Sequence, residues 1–413
     1  MDRTMTSINK NLAWYNKIKW IYIILGLYVL VYITHLLIKF HFVLWDEAVY
    51  IGIDKYIYSL GSVGLWESIR PLGLPLLFGL PWKLGLNAVI SARVIEMIFG
   101  AGTILLVYLI AKKMFDERIA VLSAFIYTIT PLFVYNSFRI MSEIPSTFFV
   151  LLALYLFIDK KYILSGAATS LAFMFRYPQG LILVCILLAL FLEFILIMPS
   201  RSGFVAFVKN SLKYAAGFVP VMIAMLIFNY FKYSSVLYPF KMASLHQGNL
   251  VHAQGSVLAG LIYYPFTLFI QNHLLIFSLV GIFVAVWIIV KGRKTGVYTS
   301  RISDVSDMTT LLIILVLYLA YYTQMTNKQD RFAISFLPFV AILAGYGFVA
   351  AFEKIKSLHS RWRFFLMTVL VLFSLYSVAL SLHKDYYKFN SFPADEPQIV
   401  DEYYRFLDRK SVV

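Results

Sequence analysis

The sequence predicts an all-α polytopic membrane protein, a bundle of about eleven transmembrane helices, on three observations. Of its 413 residues 61% are apolar and only 14% are charged, and the mean hydropathy is +0.78. That much polar surface cannot cover a water-soluble globule of this size. Long runs such as Trp20 to Ile38, Val89 to Ala111 and Phe364 to Leu382 carry hardly a charge, and each is long enough to cross a hydrocarbon core of roughly 30 Å as a helix. The Lys and Arg residues are scattered among short connections, as membrane topology requires of them.

Taken in order, spans are expected at 20–40, 88–111, 119–136, 144–158, 162–175, 178–198, 212–231, 273–290, 309–325, 332–351 and 364–382. The N-terminus is polar up to Lys19 and lacks the short apolar region and small-residue cleavage site of a signal peptide, so the first span is expected to stay in place. With a cytoplasmic N-terminus, the connections KKMFDER, DKK, SRSGFVAFVKNSLK, KGRKTGVYTSR and EKIKSLHSRWR lie inside, and these are the short basic ones. The outer side then receives the loop 41–87, the links around Arg139 and Arg176, the loop from 232 to 257, the link NKQDR and a tail from His383. Within the first outer loop, YIGIDKYIYSLGSVGLW and LGLPLLFGLPWKLGL are too short or too Pro/Gly-broken to cross and suit amphipathic helices at the interface; Leu258 to Asn272 reads alike. The division is therefore one membrane domain over 1–382 and a short extracytoplasmic tail, 383–413, too small to bury a core of its own.

Composition also excludes. The net charge of +15 is not gathered on one soluble face, which argues against nucleic acid as a partner. One cysteine, Cys185, lies within an oily run, so the chain has no intramolecular disulfide and no thiol metal site is expected. His246 and His252 are six apart, a spacing that matches no compact zinc motif; a divalent metal stays open as a cofactor. No Walker loop, GxGxxG, HExxH or GxSxG occurs in a fitting context, which leaves nucleotide-driven chemistry without support.

The chemistry-bearing residues fall on the outer side. Asp46 and Glu47, in HFVLWDEAVY, are adjacent, so their side chains diverge and divide roles rather than share a proton. A polar pair is also what any loop leaving a membrane carries. Arg70 precedes a proline-bearing segment in ESIRPLGLPLL, where a guanidinium can meet an anion or snorkel to lipid phosphate. Arg139 and Glu143 are four apart in NSFRIMSEIPSTFF, hence on one face if the helix is continuous, as a site or as an internal ion pair. Arg176, in FMFRYPQG, sits in an apolar connection and needs an anionic partner. Asp330 and Arg331 stand with Lys328 just before a late span in TNKQDRFAISFLPF, and the outer loop around residues 229–255 adds Tyr238, Lys241 and His246. A carboxylate pair, several cations and aromatic rings beside a wide apolar flank make a site for an anionic headgroup on a lipid tail.

The order of these motifs resembles the polytopic membrane glycosyltransferases of the GT-C superfold, in the branch of protein O-mannosyltransferases and the aminoarabinose transferases of lipid A. WDEAVY is similar to the family's acidic motif in the first loop, SIRPLGLPLL to its basic-Pro-Pro-Leu element, FRIMSEIPSTFF to its Arg followed by an acid, and VLYPF with KQDRFAISFLPF to its later segments. The second proline of the Pro-Pro element is replaced by Leu72. The resemblance implies an inverting transferase: a sugar passes from a polyprenyl-phosphate or dolichyl-phosphate donor, mannose in the type members, to a hydroxyl of a protein, lipid or glycan. In that reading Asp46 is the base, with Glu47 and Glu143 as catalytic companions. Arg70, Arg139, Arg176, Tyr238, Lys241, His246, Asp330 and Arg331 bind substrate. The alternative is a transporter or flippase of lipid-linked sugars, for which charged or broken helices near the bilayer midplane and two related halves are expected.

Overall fold

A computed structural model describes residues 19–39, 43–196, 198–249, 257–295, 302–325, 327–390 and 411–412. In chain order the helices are α1 (Trp20–Lys39), α2 (Trp45–Tyr58), α3 (Gly73–Lys83), α4 (Ala88–Met114), α5 (Glu117–Thr128), α6 (Pro131–Ser137), α7 (Glu143–Ile158), α8 (Tyr162–Phe175), α9 (Leu181–Leu196), α10 (Arg201–Tyr233), α11 (Tyr238–Asn249), α12 (Val257–Gln271), α13 (Phe277–Thr295), α14 (Ile302–Gln324), α15 (Leu337–Lys356) and α16 (Ser360–Asn390). Short 3₁₀ turns at Tyr177–Gly180, His273–Ile276 and Asp330–Ser335 lead into α9, α13 and α15. Gly64–Leu65 (β1) pairs in parallel with Ser411–Val412 (β2), so the chain's end lies beside the first loop. His252 and the tail over 391–410 lie outside the described residues.

Among the described residues eight helices are long and apolar enough to cross a membrane, or nine if α5 and α6 form one broken span. The two other expected spans, α7 and α8, are helices of 16 and 14 residues, below the length that bridges a full hydrocarbon core. The number eleven is accordingly not established, while the predominantly helical multi-pass architecture is.

The differences from expectation have local causes. The segment 119–136 is two helices bent by 64°, because Pro131 lacks an N–H and stands at the first turn of α6, where a helix starts rather than continues. SRSGFVAFVKNSLK is no loop: it forms the first turns of α10, capped by the Ser200 side chain, which accepts from the Gly203 N–H. The span expected from 332 begins at Leu337, after a 3₁₀ turn, and α16 runs through Asn390 rather than stopping at 382. Arg139 and Glu143 share no helix, since α6 ends at Ser137 and α7 begins at Glu143.

The main apolar core runs through the spans, from Ile104 and Val107 of α4 and Leu151 of α7 to Ile342 of α15. A separate cluster fastens the first loop: Tyr50 and Ile51 of α2 and Leu74 and Phe78 of α3 pack on Ala88 and Ala92 of α4 and on Ile140, Met141 and Phe175. Gly64, at φ +95°, lets β1 lie on α2; a Cβ there would stand 2.2 Å from the Gly52 carbonyl oxygen. The loop is thus held as part of the fold. Every segment that carries a site residue is a helix end or a turn, and these ends meet at one place.

Candidate functional site

Asp46 stands in the first turn of α2, where the helix dipole favours an acid. Its Oδ1 accepts from Arg70 Nη2 at 2.7 Å and its Oδ2 from Arg331 Nη1 at 2.9 Å. Arg331 Nε also lies 3.5 Å from Glu143 Oε1, which Arg176 Nη1 reaches at 2.7 Å. At the other end Arg70 Nε donates to Glu67 Oε2 at 2.9 Å. The result is an alternating ladder, Glu67, Arg70, Asp46, Arg331, Glu143, Arg176, with as many acids as guanidiniums.

Aromatic and hydroxyl groups brace it. Arg70 lies over the Tyr50 ring at 5.1 Å, and Phe332 receives both Arg176 at 5.3 Å and Arg331 at 6.0 Å. The Ser142 hydroxyl joins Tyr50 to Arg176, each at 3.3 Å. Burial by itself would raise the Asp46 pKa, but the charges and hydrogen bonds of Arg70 and Arg331 outweigh it and hold the carboxyl at about 2. Asp46 is ionised at any physiological pH.

These groups face a cleft of about 610 Å³. One wall is the ladder from Arg70 to Arg176; Phe173, Tyr177, Phe240, Tyr321, Met325 and Phe332 supply an apolar flank. Phe173, Tyr177 and Phe240 form a three-ring cluster with centroids 5.0 to 5.6 Å apart, which brings α11 against the end of α8. Of the residues expected from sequence, Asp46, Arg70, Glu143, Arg176, His246 and Arg331 line the cleft.

The others lie elsewhere. Glu47, 1% exposed, diverges from Asp46 as adjacency requires and binds Arg93 at 3.2 Å and Arg139 at 3.6 Å. Its Oε2 also accepts from the Leu44 N–H, so it caps α2 and ties it to α4 and the 138–142 turn. Arg139 therefore pairs with Glu47 and not with Glu143, contrary to the four-residue spacing. Tyr238 stacks on Tyr233 at 4.9 Å, and Asp330 accepts from Tyr263 Oη. Neither these two nor Lys241 is among the residues lining the cleft.

Sequence reasoning missed Glu67, Arg93, Glu96, Ser142 and Gln179. Glu67 stands three before Arg70, a pairing distance on one helical turn. Arg93 and Glu96 are ionisable residues inside an apolar span, itself a functional flag: Arg93 also donates to the Phe138 carbonyl, and Glu96 Oε1 accepts from the Met141 N–H at 3.2 Å, holding the turn that presents Glu143.

Among the described residues no three His, Cys, Asp or Glu side chains gather closely enough to hold a metal ion, and both cleft carboxylates are engaged by guanidiniums. That donor set does not fit a bound divalent cation.

The fold matches solved membrane transferases. The Archaeoglobus fulgidus oligosaccharyltransferase tethered with an acceptor peptide superimposes with a TM-score of 0.64 over 97% of this chain at 15% identity. ArnT from Cupriavidus metallidurans bound to undecaprenyl phosphate gives 0.58 over 90%, also at 15% identity. The chain has the GT-C fold. It spans 61% of that oligosaccharyltransferase and 76% of ArnT. Residues 70–231 match the family model for dolichyl-phosphate-mannose-protein mannosyltransferase, a stretch that holds Arg70, Glu143 and Arg176 but neither Asp46 nor Arg331. An uncharacterised protein of Aquifex aeolicus is 35% identical over 96 residues, 22% of either chain.

Proposed function

We propose that this GT-C protein is an inverting glycosyltransferase, which moves a sugar from a polyprenyl-phosphate donor to a hydroxyl of a protein, lipid or glycan. Its N-terminus is cytoplasmic and its cleft extracytoplasmic, with mannose the sugar that the matching family model suggests. The observation that carries this reading is Asp46, a carboxylate held between Arg70 and Arg331 in the lining of a cleft with an aromatic wall. Similar structures support the donor class: the archaeal oligosaccharyltransferase is known with a dolichol-phosphate and ArnT with undecaprenyl phosphate.

The ladder suggests how donor and base work together. Its formal charges balance, so an incoming phosphate competes with the carboxylates for Arg70, Arg176 and Arg331. As those guanidiniums turn to the anion, Asp46 loses the partners that keep it a very weak base. It can then take the acceptor's proton while the acceptor oxygen bonds to the anomeric carbon; the carbon–phosphate oxygen bond breaks on the opposite side, and the arginines receive the leaving phosphate. Inversion follows from a single displacement. The flippase alternative is less well supported, because the cleft's ion pairs gather at helix ends rather than across the middle of the spans.

The test is purified Asp46→Asn protein assayed with radiolabelled polyprenyl-phosphate hexoses and acceptor membranes. Transfer is expected to fall by about 10²- to 10⁴-fold while the protein still inserts and binds the lipid phosphate. Full transfer by the variant would remove Asp46 from the reaction.

A further inference from the structure

Gln179 directly follows Pro178 in the 3₁₀ segment Tyr177–Gly180, is fully buried, and does not line the cleft although Tyr177 and Pro178 do. Its side chain reaches away from the cleft into the protein. Nε2 donates to Ser335 Oγ at 3.0 Å and to Ser146 Oγ at 3.3 Å. Its own N–H donates to the Arg176 carbonyl at 2.9 Å, and its carbonyl accepts from Tyr318 Oη at 3.3 Å.

Each partner belongs to a segment that presents one cleft charge. Ser146 is one turn beyond Glu143 on α7 and donates to the Glu143 carbonyl at 3.1 Å. Ser335 closes the 3₁₀ turn that carries Arg331 and pairs with Tyr322 Oη of α14 at 2.9 Å. Gln179 itself follows Arg176 by three residues. One amide therefore sets the register of three segments that are separate in sequence and whose cleft-lining ends form the Arg176, Glu143 and Arg331 half of the ladder. Mere packing does not account for it, since Gln179 Oε1 is buried with no hydrogen-bond partner. An apolar side chain of similar length would fill the same space without stranding a polar atom.

We infer that Gln179 is a positioning residue, which holds Glu143, Arg176 and Arg331 in register for an anionic headgroup. The inference rests on the proposed reading of the cleft for its ligand, but its geometric content is independent of it. Gln179→Met keeps the length and loses both donated bonds. In nanodiscs without ligand, amide exchange of the variant is expected to rise together over 142–146, 176–180 and 330–335 and to stay unchanged elsewhere. Affinity for undecaprenyl phosphate is expected to fall about tenfold, and kcat by ten- to a hundredfold, as misplacement of a binding group by about 1 Å does.

Exchange that changes only over 176–180, or affinity and kcat at the level of the unaltered protein, would overturn the inference. If Gln179→Met does not fold, Ser335→Ala and Ser146→Ala each cut one arm; each should loosen its own segment and weaken anion binding, and wild-type binding by both would overturn it equally. Should the three segments loosen while even the unaltered protein binds no undecaprenyl phosphate, the positioning role stands and the functional reading falls.

Discussion

Asp46 and Glu47 are neighbours in sequence with opposite circumstances. Asp46 is partly open to the cleft and clamped by two arginines; Glu47 is sealed beneath it with Arg93 and Arg139. Because the folded Asp46 pKa of about 2 lies below its ordinary value of 3.8, its pairing stabilises the fold above pH 4, and that contribution, of the order of 2 kcal/mol before solvent screening, is lost as pH falls from 4 to 2. In catalysis the same clamp makes a donor-dependent prediction. If phosphate draws the guanidiniums away, the carboxyl pKa rises in the complex, so the acid limb of kcat should sit at higher pH than that of kcat/KM, which reports the free enzyme. Coincident limbs would show that Asp46 keeps its arginines throughout. For Glu47, neutralisation removes the carboxylate that the buried Arg93 and the partly buried Arg139 share. Glu47→Gln should cost about 3 kcal/mol of stability, read as a lower Tm, with undecaprenyl-phosphate affinity of the folded fraction unchanged. A variant with normal Tm and no turnover would instead make Glu47 a catalytic group.

The short helices α7 and α8 are where element-scale packing decides the site. They carry Glu143 at one start and Arg176 just past the other's end, so a slide of either would pull the ladder apart. Against α8, α10 approaches so closely that a Cβ on Gly217 would stand 1.8 Å from the Ile163 carbonyl oxygen, and one on Gly166 would stand 2.0 Å from that of Tyr214. Both contacts are to backbone, which cannot swing aside, and small residues are what allow helices to meet this way in lipid. Gly217→Leu should therefore separate the two helices and lower the yield of folded, detergent-stable protein, as size-exclusion profiles would reveal. A monodisperse, fully active variant would show that this crossing has slack. Leu at Gly26, where a Cβ meets nothing within 4 Å, serves as the control.

For the molecule as a whole, sidedness is the point on which the proposal depends. The cleft gathers the first loop, the start of α7, the end of α8 and the start of the Asp330–Ser335 turn, so all must open to one compartment. Cys185 is the sole cysteine and is fully buried, which makes labelling clean. A cysteine placed at exposed Ser62 should react with a membrane-impermeant maleimide in intact cells. Reaction only after the membrane is opened would put the cleft in the cytosol and end the proposed reading.

What the sequence determined by itself follows from rules that act locally. Hydropathy marked the spans, since lipid demands a long apolar helix wherever the chain crosses, and the lone acids and cations of the outer connections singled out Asp46, Arg70, Glu143, Arg176 and Arg331. The Pro/Gly-broken segments of the first loop were legible too, though the break at Pro131 was read through. Partnership was decided only in three dimensions. Arg139 was four residues from Glu143 and yet binds Glu47; Arg331, 285 positions from Asp46, binds it directly. Spacing predicts contacts along one helix, whereas helix ends from distant parts of the chain meet through packing of the spans beneath them. Gln179 lies wholly on that side of the division: a single amide in a link that reads as apolar, whose role exists only because three folded segments converge on it.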